Sequence, residues 1–177
     1  MKTLLTEAEL RRGVERIAAE INEFYADRPL TIIGVLTGSV VLLADLIRLL
    51  EMPLRVGVVQ ASSYRGAATT RGSLSINHEL MPDIAKRDVL LVDDIYDTGH
   101  TLAEMVRRMS DLGPTSVRTC VLLLKKGRQE VDVPVDHVGF EIPNEFVVGY
   151  GLDYQDEYRN LPYLAALEES DLASRVP

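Results

Sequence analysis

Three short, mostly apolar runs limit what this chain can fold into. Thr31–Leu36 reads TIIGVL, Val89–Asp93 reads VLLVD and Val117–Leu124 reads VRTCVLLL. A strand with one face in water alternates polar and apolar residues, whereas a run apolar along its length is covered on both faces. Helical patterns alternate with these runs. Thr6-Glu7-Ala8-Glu9 forms a capping box, and Leu10, Val14, Ile17, Ile21 and Phe24 then recur at helical spacing, so residues about 7–26 are predicted to be an amphipathic helix ended by Arg28-Pro29. Val40–Leu50 is a helix apolar nearly all round, to be buried either by the core or by a partner subunit, with partner contact in part the preferred reading. Leu102, Met105, Val106, Met109 and Leu112 mark one face of a helix over Thr101–Leu112, closed by Gly113-Pro114. Leu54–Ala61 adds a strand, and Val138–Phe140 and Phe146–Gly149 add short ones in a turn-rich tail. The alternation predicts an α/β fold with a mainly parallel sheet and right-handed crossovers. Ligands of such sheets bind beyond the carboxyl ends of the strands.

Other classes are disfavoured. A length of 177 residues without repeats or linker-like stretches suits one domain. No apolar run reaches the ~18 residues of a membrane span, and the start MKTLLTEAELRRG lacks the apolar core and cleavage site of a signal peptide. A single cysteine, Cys120, makes no internal disulfide and suits a reducing, cytoplasmic setting. With 19 Lys and Arg against 27 Asp and Glu, the formal charge of −8 opposes broad binding to nucleic acid or anionic membrane. An anionic substrate would need local devices to hold it. Glycine-rich dinucleotide and P-loop signatures are missing, and His78, His100 and His137 lack metal-site spacing.

One such device is legible. Val89–Thr101, VLLVDDIYDTGHT, packs a buried strand, an acidic pair, a loop and a helix start into 13 residues. The loop Asp97-Thr98-Gly99-His100-Thr101 leads into a helix N-terminus, where free amides and the helix dipole favour an anion. Thr98 and Thr101 add hydroxyls, Gly99 admits a phosphate close to the backbone, and Asp93 and Asp94 at the strand end suit vicinal ribose hydroxyls. The bland alternative is that Asp97 caps the helix and the acids form a solvated rim. Likewise Lys125-Lys126 would be a solvated strand end, Phe146 core, and Asp153 with Arg159 a surface ion pair worth under ~1 kcal/mol.

VLLVDDIYDTGHT resembles the phosphoribosyl pyrophosphate (PRPP) motif of the type I phosphoribosyltransferases. The remainder is similar to their hypoxanthine-guanine branch. Gly34-Val35-Leu36-Thr37-Gly38-Ser39 resembles the pyrophosphate loop. Ser62-Ser63-Tyr64 opens a Ser-, Thr- and Gly-rich stretch to Ser75, an exposed loop similar to the family's catalytic loop. Lys125, Val138–Pro143, Phe146–Tyr154 and Tyr158–Pro162 resemble the purine-binding tail. The resemblance spans about residues 10–165. It implies one domain over 1–177, with a core at about 30–125 and a hood built from the N-terminal segment and about 126–165.

The resemblance also implies a reaction: a 6-oxopurine and PRPP give the nucleoside monophosphate, IMP or GMP, and pyrophosphate. Asp97 would take the purine N7 proton. Asp93, Asp94, Thr98, Gly99, His100 and Thr101 would hold the ribose phosphate. Amides of Thr37, Gly38 and Ser39, with Arg159, would hold pyrophosphate, beside a cis peptide at Leu36-Thr37. Lys125, Phe146 and Val147 would read the base, and Ser63 and Tyr64 would meet pyrophosphate. Mg²⁺ would neutralise the leaving group, with Asp153 as its ligand and further contact through Asp93 and Asp94. Thr37 stands where many relatives carry Lys or Arg, and Asp93 replaces the commoner Glu. Two alternatives remain at this level: a xanthine- or pyrimidine-preferring transferase, and a PRPP-sensing regulator that binds nucleic acid. The second would show a basic face and could dispense with Asp97, the loop as a lid and Arg159. A homodimer or homotetramer is expected from the apolar Val40–Leu50 helix.

Overall fold

The computed structural model describes residues 1–63, 74–77, 79–168 and 171. The chain opens on β1 (Lys2–Leu5) and α1 (Glu7–Tyr25). The expected capping box starts α1: the Glu9 amide donates to Thr6 Oγ1 at 3.3 Å and the Thr6 amide to Glu9 Oε2 at 2.8 Å. There follow β2 (Leu30–Leu36), α2 (Val40–Ile47), β3 (Leu54–Ser63), β4 (Leu74–Asn77), β5 (Asp88–Tyr96), α3 (His100–Asp111), β6 (Ser116–Lys125), β7 (His137–Ile142), β8 (Val147–Val148) and β9 (Leu164–Ala166). Among the described residues the main sheet runs β4-β3-β2-β5-β6-β7. Its five strands from β3 to β7 are parallel, and β4 lies antiparallel on the edge. A small antiparallel sheet, β1-β9-β8, stands apart from it.

Period-two alternation splits the buried strands between two cores. Ile32, Leu90, Val92, Cys120 and Leu122 face α1 and α2, meeting Leu10, Val14, Ile17 and Leu42. Ile33, Val35, Leu91 and Val121 face α3, meeting Leu102, Met105 and Met109. This is why β2 and β5 read as continuous apolar runs. Among the described residues no helix is long and apolar enough to cross a membrane.

Several expectations change in detail. Ser62–Ser75 is not a loop throughout: Ser62 pairs with Ser75 and Ser63 with Leu74 in the β3–β4 ladder. Tyr64 and the rest of the stretch, 64–73, lie outside the described residues, as does His78. α2 stops at Ile47 rather than Leu50, because the Leu49 amide closes a tight turn onto the Leu46 carbonyl at 3.0 Å. β5 extends past its acids, since Ile95 and Tyr96 continue the ladder opposite Leu123 and Leu124.

Candidate active site

Two adjacent strand ends build the site. β2 and β5 pair in parallel, Gly34 opposite Val92, so Leu36-Thr37-Gly38 and Asp93–Thr101 emerge side by side. Between them lies a crevice of ≈ 330 Å³, lined by Thr37, Gly38, the acids of β5, Thr98, Gly99 and Thr101, and by Asp153 and Arg159 from the tail. A second recess of ≈ 230 Å³ adjoins it, lined by Lys125, Phe146, Val147 and Leu152. Asp94, Ile95, Asp97 and Asp153 belong to both walls.

The phosphate-type end is made of backbone. Gly99, at φ 92°, is the N-cap of α3 and offers no side chain to its amides. Among the described residues the amides of Thr98, Gly99, His100 and Thr101 donate to no protein acceptor, and the first helical bond runs from Ala103 to the Gly99 carbonyl at 2.9 Å. Thr98 is half-buried and Thr101 exposed, so neither is packed away. The capping alternative for Asp97 therefore fails: the cap is Gly99, and the Asp97 carboxylate is turned elsewhere. His100 contributes its position in the helix start, but its ring pairs with Glu130 at 2.9 Å rather than lining the crevice.

On the opposite wall the Leu36-Thr37 peptide is cis, as the resemblance implies. Ser39 departs from its expected role. Its amide donates to the Val35 carbonyl at 3.4 Å, its hydroxyl donates to the same oxygen at 2.6 Å, and it is fully buried. It holds the turn from below, leaving Thr37 and Gly38 at the crevice. Gly38 faces the Asp94 carboxylate so closely that a Cβ there would strike Asp94 Oδ2.

Asp93 is buried, at 7% exposed, and Asp94 beside it is half-buried. Burial raises the pKa of both, and for Asp93, lifted well above the usual carboxylate range, the field of Asp94 adds to it. Asp97 behaves oppositely. Partial burial pushes its pKa up, but the hydrogen bond from Arg128 and the nearby Lys125 outweigh that, and the net shift is downward. Lys125 Nζ stands 3.2 Å from Asp97 Oδ2, and Arg128 Nε donates to Oδ1 at 3.0 Å.

Arg159 and Asp153 do form an ion pair, at 2.7 Å, and Arg159 also donates to the Gly151 carbonyl at 2.7 Å. The pair is no isolated surface feature, because both members line the crevice. Phe146, 49% exposed, presents its ring beside the recess with Tyr154 edge-on at 5.5 Å. The Leu167 amide donates to the Phe146 carbonyl at 2.9 Å, which makes Phe146–Leu167 a hydrogen-bonded pair. The next pair, Val147–Ala166, is then non-bonded, and the Val147 backbone groups point away from β9, on the free edge of the small sheet.

Similarity to known proteins agrees with this geometry. The family described as the phosphoribosyl transferase domain matches residues 1–155. The chain belongs to the phosphoribosyltransferase family. A hypoxanthine phosphoribosyltransferase of Salmonella typhimurium is 41% identical over 166 residues, covering 93% of each chain. A hypoxanthine-guanine phosphoribosyltransferase of Aquifex aeolicus is 41% identical over 170 residues, covering 96% of each. The solved hypoxanthine phosphoribosyltransferase of Trypanosoma cruzi superposes with a TM-score of 0.92 at 36% identity, over 99% of this chain and 95% of that one. In this phosphoribosyltransferase, reasoning from sequence brought together residues of the acidic loop, the turn after β2 and the tail. It missed Arg128 and Gln129, whose only local signal is a Gly127 turn following a lysine pair.

Proposed function

We propose that the chain transfers the 5-phosphoribosyl group of PRPP to hypoxanthine or guanine in purine salvage, releasing IMP or GMP and pyrophosphate. One observation carries the reading: a crevice walled by unengaged amides adjoins a recess with an aromatic ring and a lysine, and Asp97 stands on the wall they share. The 5′-phosphate sits on the amides and hydroxyls of Thr98–Thr101, at a helix start. Asp93 and Asp94 take the ribose hydroxyls. Because their protons are held more firmly than usual, the pair offers donor as well as acceptor capacity. Thr37 and Gly38 amides and part of the Arg159 fork hold the pyrophosphate end.

The chemistry then follows from charge. Purine N9 attacks C1′, the C1′–O bond to pyrophosphate breaks, its electron pair leaves with pyrophosphate, and the N7 proton passes to Asp97. Lys125 exchanges Asp97 Oδ2 for the purine O6, which frees that carboxylate oxygen for N7–H. An amino group at that position would meet the ammonium donor to donor, so adenine is rejected. Phe146 stacks on the base and the outward backbone of Val147 pairs with its edge.

Mg²⁺ fits this donor set. Among the described residues no group of three or more His, Cys, Asp or Glu side chains converges as a metal cage. Asp94 and Asp153 nevertheless line the crevice with hard oxygens, the sparse protein contribution Mg²⁺ accepts when water and phosphate complete its shell. Bound there, the ion supplies neutralisation of the leaving pyrophosphate. Asp153 would exchange its partner Arg159 for the metal.

The same reading takes the chain as one domain with a core and a hood, acting as a homodimer or homotetramer in the cytoplasm. A free, fully buried Cys120, its thiol pushed up to about 12 by burial, suits a reducing compartment. Initial rates with hypoxanthine, guanine, xanthine, adenine and uracil, with and without Mg²⁺, test it. Turnover of 6-oxopurines alone, lost on chelation, is expected. Turnover of uracil without purine turnover would overturn it.

A further inference from the structure

We propose that Arg128 is a positioning residue for the reaction: it grips one oxygen of Asp97 from outside the base recess, so the other oxygen is aimed and kept charged when the purine displaces Lys125. The proposal rests on the reading of Asp97 as the proton acceptor. The two cations divide the carboxylate between them, Arg128 Nε on Oδ1 at 3.0 Å and Lys125 Nζ on Oδ2 at 3.2 Å. Only Lys125 lines the recess; Arg128 does not. Entry of a base can therefore take away the lysine while the arginine stays.

Arg128 is delivered by backbone rather than by a loose side chain. Gly127, at φ 70°, turns the chain after β6, and the following segment is strapped across the back of the phosphate loop. The amides of Glu130 and Val131 both donate to the Thr98 carbonyl, at 2.9 and 3.1 Å. Tyr96 donates its hydroxyl to the Val131 carbonyl at 2.7 Å and accepts from the Val133 amide at 3.1 Å. Gln129 donates to the Lys125 carbonyl and lies 3.5 Å from the Asp97 carbonyl. A Cβ on Gly99 would strike the Val131 carbonyl, so strap and loop are in close contact.

The strap therefore fixes Arg128 relative to both Asp97 and the phosphate loop. A carboxylate held at one oxygen loses rotational freedom, and positioning of this kind contributes directly to rate. The ionisable groups facing Asp97 are Lys125 from β6, Arg128 from the strap, Asp93 and Asp94 from β5, and Asp153 and Arg159 from the tail. With Lys125 drawn to the base, Arg128 is the cation that remains hydrogen-bonded to the Asp97 carboxylate.

The test uses the Mg²⁺-loaded enzyme with Arg128→Gln and Arg128→Lys. Because Arg128 is half-exposed on a turn, both variants should fold. For Arg128→Gln, kcat is expected to fall roughly tenfold while the KM for PRPP stays within about twofold. The acid limb of the kcat profile should move to higher pH, because loss of the cation lets Asp97 protonate sooner. Arg128→Lys should return the limb and part of kcat. An unchanged kcat, a loss of kcat with the limb unmoved, or a loss dominated by PRPP KM would each overturn the proposal. If the wild type turned over neither hypoxanthine nor guanine, the functional reading itself would fail; a working wild type beside an unaffected Arg128→Gln sinks only the positioning role.

Discussion

Two acids on one strand end and a third on the loop beyond it illustrate how environment assigns roles to identical side chains. Asp97, between two cations, stays ionised; Asp93, buried beside Asp94, resists ionisation. Asp97→Asn keeps size and removes the proton acceptor. It should lower kcat by about 10²–10⁴-fold, the usual span of one general base, while PRPP binding measured by calorimetry persists. Equal loss of PRPP affinity would place Asp97 in binding instead. Asp93 leads to a stability prediction of opposite sign. Its folded pKa lies above the unfolded value, so the folded state binds the extra proton and stability falls as pH rises from the unfolded pKa toward the folded one. At neutral pH the group is a burden that function retains. Asp93→Asn keeps an oxygen to accept the Asp94 amide, now bonded at 2.9 Å, and removes the charge. The ligand-free variant should gain on the order of 1 kcal/mol, or about 2–4 °C in Tm for a chain of this length. The gain should vanish in melts below about pH 4, where the wild-type carboxyl is already protonated in both states, and catalysis should be lost throughout.

At the scale of elements, the turn after β2 and the turn after β5 meet only because Gly38 lets the Asp94 carboxylate against its Cα. Gly38→Ala forces that carboxylate aside. The expected result is a rise of at least roughly tenfold in KM for PRPP with little change in Tm, read from paired kinetics and thermal melts; a large Tm loss with unchanged KM would contradict it. Contiguity decided what could be seen without coordinates. Asp93 to Thr101 were legible because strand, acids, loop and helix start follow one another along one stretch, and β2, β5 and β6 because burial on both faces makes their sequences nearly uniform. β1, β4 and β9 escaped notice for the opposite reason. They have 4, 4 and 3 residues, too few for a pattern to show, and β1 and β9 owe their existence to partners distant in the chain, such as Lys2 beside Ala166. Arg128 was hidden likewise: its partner lies 31 positions away, and nothing in KKGRQE announces a carboxylate across the turn. Ser39 was legible as part of the turn after β2, but its amide and hydroxyl bonds to the Val35 carbonyl were not.

For the molecule as a whole, α2 is the element whose exposure is out of keeping with its sequence. Its inner side, Leu42, Leu43 and Leu46, is buried in the core, yet Val40 at its start is 41% exposed and Leu49 just past its end is 39% exposed. Val41 and Leu49 also line a recess of ≈ 470 Å³ between α1, α2 and the tail, with Glu7, Arg11, Glu15, Asp45 and Arg48 around them. An apolar centre ringed by charges of both signs is the make-up of a surface that associates with itself, since each acid can meet a base of the other copy across a two-fold axis. The recess also includes Arg159, which lines the crevice between β2 and β5 as well. Assembly at this face would therefore restrain the guanidinium that is proposed to hold pyrophosphate. Val40→Asp with Leu49→Asp places one charge within the recess and another on the exposed start of α2 while leaving the buried side of α2 untouched. The double variant should sediment near the 19.7 kDa of one chain, with the wild type at twice that or more. Its KM for PRPP should rise, because Arg159 loses support, while its KM for hypoxanthine changes less. A wild type that sediments as a single chain at micromolar concentration would remove the interface, and a dissociated variant with unaltered KM would separate assembly from Arg159.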